Sequence, residues 1–71
     1  MSELKPYQQR VVVEHEELMT RLVKLRAFFT SEAIDTVSRE ELVLLAMQLL
    51  AMESYEKVLS SRIEIFRRSL G

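Results

Sequence analysis

The residues best suited to holding a ligand sit together in Lys5-Pro6-Tyr7-Gln8-Gln9-Arg10, where a lysine, a phenol, two amides and an arginine surround a proline. A proline in the first helical turn costs no hydrogen bond, and the free N–H groups of that turn already favour an anion. Lys5 and Arg10 can then pair with phosphate oxygens, Tyr7 can stack on a base, and Gln8 or Gln9 can read its edge. If the chain folds back on itself, Arg62, Arg67 and Arg68 come close to this segment, with Tyr55 about two turns deeper. A compact cationic cluster on a nearly neutral chain suits a small anionic ligand better than a polymer. A plainer reading has Arg67 and Arg68 complementing a helix C-terminus, while Lys5 and Arg10 pair with Glu3, Glu14 and Glu64.

Other chemistries find little support. His15-Glu16-Glu17-Leu18-Met19 begins like the helical zinc motif but has Met19 where the second imidazole is required, so no metal site is expected. There is no cysteine nucleophile, no glycine-rich phosphate loop and no Ser-His-Asp set that two helices could assemble. Adjacent carboxylates such as Glu16 with Glu17, or Glu40 with Glu41, point apart on a helix and read as solvated faces. Neither an enzyme nor a resident cofactor is expected. Ten basic and eleven acidic residues give a net charge of −1, which disfavours binding to a nucleic-acid polymer.

The elements that must position these residues are helical. Glycine and proline occur once each, so sheet-type punctuation is missing, while Leu, Glu, Arg, Met and Ala are abundant. The pattern predicts a first helix from about Pro6 to Phe29 with an apolar seam of Val11, Leu18, Leu22, Leu25 and Phe29, and His15 in its polar gap. The run Val11-Val12-Val13 also suits a strand, but its flanks favour helix. Residues 30–38 are rich in side chains that bond their own backbone and form the connection, with Ile34 and Val37 plugging the closed end. Ser38 and Glu41 make a capping-box signature, and a second helix follows from about Arg39 to Ser69. Its seam of Leu42, Leu45, Leu49, Met52, Leu59, Ile63, Phe66 and Leu70 is broken by Glu56.

The expected fold is therefore one all-α domain, residues 1–71, a two-helix antiparallel hairpin. Leu44, Ala51, Val58 and Ile65 form a second stripe on helix two, widened by Val43, Met47 and Leu50, while Val12, Met19 and Val23 lie outside the first seam. One hairpin cannot cover all of this, and a chain of 71 residues without disulfides usually needs a further staple. The expectation is assembly into a helical homo-oligomer. With no apolar run near 18 residues and no charged-then-apolar leader, neither membrane insertion nor secretion is expected.

Lys5-Pro-Tyr-Gln-Gln-Arg-Val-Val, followed by Glu16-Glu-Leu, Lys24-Leu, Ala27-Phe28-Phe29, and then Gln48, Met52, Tyr55, Leu59 and Arg62-Ile63, resembles a family of short proteins from tailed bacteriophages and prophages, crAss-like phages among them. The resemblance spans about residues 5 to 66, and the opening KPYQQR-type motif is its most specific part. It implies an accessory protein acting in the host bacterial cytoplasm. In size and architecture the chain is also similar to phage hairpin proteins that act as sponges for cyclic nucleotides or ADP-ribose-derived immune signals. The function expected from residues and resemblance together is non-catalytic sequestration of a small phosphorylated, nucleotide-like signal at oligomer interfaces, through Lys5, Tyr7, Gln8, Gln9, Arg10, Tyr55 and Arg62. The alternative is a protein–protein adaptor that inhibits or recruits a host factor through the second apolar stripe.

Overall fold

A computed structural model of the chain describes residues 3–70. It is all-α: α1 spans Pro6–Phe29, a short 3-10 helix spans Glu32–Thr36, and α2 spans Arg39–Leu70. The two long helices pack as an antiparallel hairpin, a rod of 52 × 16 × 16 Å. The valine run stays within α1, because the helix formers on either side and the buried position of Val11 outweigh a propensity difference of well under about 1 kcal/mol per residue.

Each boundary has a local cause. At the start of α1 the Lys5 N–H donates to Gln8 Oε1 at 2.8 Å and Gln9 Nε2 donates to the Leu4 carbonyl at 2.9 Å. At its end no left-handed glycine is needed. The Thr30 hydroxyl donates to the Ala27 carbonyl at 3.0 Å and the Ser31 hydroxyl to the Phe28 carbonyl at 2.8 Å, satisfying acceptors that the helix leaves free. Ser38 is the N-cap of α2, its Oγ accepting the Glu41 N–H at 3.1 Å. Ser38→Ala should lower stability by about 1 kcal/mol, read as a fall in Tm of roughly 4–8 °C for a chain of this size; an unchanged Tm would deny the cap that role.

The core is small and lopsided. Val11, Leu18 and Leu22 of α1 meet Leu59, Ile63 and Phe66 of α2, with Leu22 and Leu59 at 0 % exposure. These residues belong to the end of the rod that holds the start of α1 and the end of α2. Towards the connection, the seam residues Leu25, Phe29, Leu42, Leu45 and Leu49 are only half-buried, as are Phe28, Ile34 and Val37. The two polar gaps in the seams meet each other. His15 Nε2 lies 2.8 Å from Glu56 Oε2, a paired polar contact that fixes the register of one helix on the other. Arg26 reaches Glu53 at 3.1 Å on the same side of the rod.

The solvent-accessible surface is 5590 Å², whereas a compact monomer of 8.3 kDa exposes roughly 4,600 Å². Part of the surplus is the outward side of α2, where Val43, Leu44, Met47, Leu50, Val58 and Ile65 are all more than half exposed. Among the described residues no helix is long and apolar enough to cross a membrane.

Candidate functional site

The hairpin brings the start of α1 against the end of α2, and this contact assembles part of the expected site. The Tyr7 ring packs edge-on to Phe66 with centroids 5.9 Å apart at 83°, and the Arg62 guanidinium sits 5.9 Å from the same ring. Tyr7 is thereby held by one edge and remains 47 % exposed, so an aromatic face is still presented to solvent. Phe66, itself buried, is the packing partner common to both residues.

Helical spacing divides the KPYQQR segment. Tyr7 and Arg10, three residues apart, share one side of α1 with Glu14 and Arg21. Gln9 and Arg10 line a shallow hollow with Glu14, Glu17 and Arg21. The amides of Gln8 and Gln9 are engaged at the N-terminus of α1, as described above, which gives them a capping role in the fold beside the reading role expected of them. Lys5 is exposed at the N-cap position. Among the described residues Arg26 with Glu53 is an ion pair and His15 with Glu56 a polar contact; Lys5 and Arg10 do not take up the pairing with Glu3, Glu14 or Glu64 that the plainer reading anticipates.

Tyr55 stands across the interhelical cleft from Glu14, and its hydroxyl donates to the Glu14 carboxylate. That hydrogen bond is the main reason its pKa lies above the ordinary value for a phenol, with some desolvation and the carboxylate's charge acting in the same direction and Arg62 opposing them. Tyr55 therefore remains a neutral donor throughout the physiological range. Glu14 in turn lines the shallow hollow that Gln9 and Arg10 share on α1.

Below Tyr55, towards the connection, the loosely packed half of the rod opens into a groove of about 740 Å³. Its floor includes Leu25, Phe28, Leu45 and Met52, and its rim carries Arg21, Lys24, Glu41, Gln48 and Tyr55. Arg21, Lys24 and Gln48 are not among the ligand-binding residues expected from sequence, although Lys24 and Gln48 carry part of the family resemblance. The signal was there: Gln48, Tyr55 and Arg62 recur every seven residues, and Arg10, Glu14, Glu17, Arg21 and Lys24 step along α1 by four and three. These two rows carry cations, carboxylates, an amide and a phenol, each over 14 residues, or about 21 Å at the helical rise per residue. Among the described residues no group of three His, Asp or Glu side chains is gathered that could hold a metal ion.

A family model described as Sequestin matches residues 5–65, which covers both long helices and most of the face just described. The chain belongs to the Sequestin family. Among curated proteins it is similar to an uncharacterised 7.5 kDa protein from the denB–rIIB intergenic region of Enterobacteria phage T4, 39 % identical over 61 residues, or 86 % of this chain and 95 % of that one. The resemblance to short phage proteins therefore resolves into Sequestin, with a phage T4 relative covered over nearly its whole length. No solved structure matches the chain. Sequestin membership implies a sequestering, non-catalytic role of the sponge type, directed against host defence.

Proposed function

We propose that the protein is a homo-oligomeric phage sponge that binds a small phosphorylated, nucleotide-derived immune signal stoichiometrically at subunit interfaces in the host cytoplasm, without turnover. The observations that support this reading are the exposed Tyr7 ring and the Arg62 guanidinium gathered on Phe66, with the Tyr55 hydroxyl bonded to Glu14 across the cleft, on a chain of a sequestering family. Phosphates pair with guanidinium groups through directed, charge-assisted hydrogen bonds, and phenols supply flat surfaces for a base. Lys5 adds a further cation at the helix N-terminus, where the free N–H groups favour negative charge. Gln8 and Gln9 reach the ligand in this proposal by exchanging their capping bonds for base contacts. The groove beyond Tyr55 adds apolar floor and the cations Arg21 and Lys24, a setting for the uncharged part of a nucleotide.

The test is thermal unfolding of the purified protein against cyclic dinucleotides, cyclic ADP-ribose isomers and simple nucleotides, with mass measured by light scattering. A true ligand at a hundred times its Kd adds about 2.7 kcal/mol to the folded state, which raises the Tm by several degrees for that compound and its close analogues. A well-folded protein whose Tm is unmoved by every compound rejects the sponge and favours an adaptor acting through the exposed stripe of α2.

A further inference from the structure

We infer that the outward stripe of α2 is the seat of a second copy of this chain, docked antiparallel, and that the pairing completes the ligand face by setting Arg62 and Tyr55 of each copy beside Glu41 and Gln48 of the other. The inference rests on the sponge reading for its functional consequence but not for its geometry.

The stripe has the period of a two-helix seam. Leu44, Ala51, Val58 and Ile65 occupy one heptad position, and Met47, Ser54 and Ser61 the other, so the spacing alternates three and four over three heptads. Leu44 and Met47 are 61 % and 59 % exposed, and the small residues Ala51, Ser54 and Ser61 let a second helix approach closely. With α2 of 32 residues, the seam is long enough to hide the surface at issue. The surplus over a compact monomer, about 1,000 Å², of which this stripe is a part, has the magnitude of the roughly 800 Å² per partner of a stable interface.

Charge decides the occupant and its direction. α2 begins with Glu40 and Glu41 and ends with Arg67 and Arg68, with Arg62 a turn earlier. Two copies running the same way would set Glu40 against Glu40, Lys57 beside Arg62, and Arg68 against Arg68, each repulsive. Two copies running oppositely about an axis between Ala51 and Ser54 place Leu44 opposite the partner's Ser61 and Met47 opposite the partner's Val58. On the flank nearest the ligand face, the same register puts Glu41 beside the partner's Arg62 and Gln48 beside the partner's Tyr55, twice over by symmetry. Glu41, Gln48 and Tyr55 already line the open groove. The second copy therefore closes that groove's outer side and supplies a cation and a phenol to it.

The chain contains no cysteine, so single-cysteine variants report geometry directly, in the absence of any ligand. Leu44→Cys and Ser61→Cys proteins, mixed and oxidised, should give the mixed disulfide in preference to either homodisulfide. If Leu44→Cys alone cross-links as readily as the mixture, the helices run parallel and the inference fails; a protein that stays monomeric by light scattering overturns it as well. Glu41→Arg and Arg62→Glu should each weaken self-association by about tenfold, a typical loss for a like-charge contact repeated by symmetry, and the double reversal should restore it. Reversals without effect, or a double variant no better than the singles, would also overturn it. Because mass and cross-linking need no ligand, an antiparallel dimer with no response in the nucleotide panel would leave this pairing standing while removing the sponge.

Discussion

Leu59→Ala is expected to unfold most of the protein at 25 °C. Leu59 and Leu22 are the two side chains with no exposed surface, and truncating such a leucine costs about 2–5 kcal/mol from lost transfer energy and the cavity left behind. A single small core rarely supplies more than about 3–5 kcal/mol in total, so the loss is comparable with all the stability the hairpin has. Urea unfolding followed by far-UV circular dichroism makes the comparison, with Val23→Ala as reference, since Val23 is on the outside of α1 and 60 % exposed. That reference should shift stability by less than about 0.5 kcal/mol. A Leu59→Ala midpoint no lower than that of Val23→Ala would mean that the packing centre lies elsewhere.

The second large effect is on binding. The double variant Lys5→Ala, Arg10→Ala should lose about a hundredfold in affinity for the signal that stabilises the wild type, taking roughly 1.5–3 kcal/mol for each hydrogen bond to a charged group and allowing for partial solvent exposure. Both side chains are exposed and neither is in an ion pair among the described residues, so the fold and the oligomer should be unaffected. Isothermal titration on the two proteins, with matched circular dichroism, checks it. An affinity within threefold of wild type would move the anion-binding function off the start of α1, and the groove cations Arg21 and Lys24 would be the next to remove.

How far the sequence discloses all this varies by level. The helices are legible because apolar spacing and caps agree: Pro6 starts α1, Ser38 starts α2, and the structure ends α2 at Leu70, one residue past the expected Ser69. The connection is legible as polar and turn-rich; it folds around the Glu32–Thr36 3-10 helix, with Ile34 and Val37 half-buried. His15 and Glu56 each read as a flaw in an apolar seam; that they answer one another depends on the stagger of the helices, which periodicity does not contain. The depth of the core was not legible either. Leu25 and Leu45 have the same spacing credentials as Leu22 and Leu59, and only their shallower burial in the folded hairpin separates them. At the candidate site, composition points to the KPYQQR segment as a unit, whereas helical geometry sets Tyr7 and Arg10 on one side of α1 and ties Gln8 and Gln9 to the backbone. Arg21, Lys24 and Gln48 look like ordinary surface residues as ligand contacts until the groove beside them is seen.

The uneven core has a consequence for how the molecule breathes. Backbone amides near Leu22 and Leu59 should exchange with solvent only through whole-chain unfolding, while those from about Leu25 to Leu49 should exchange through local opening at far lower free energy. The half of the rod that carries the groove is thus the half most ready to come apart. Any partner or ligand that closes over it would convert that looseness into hydrogen-exchange protection, so the position of slowed amides along the chain would map what has bound and where.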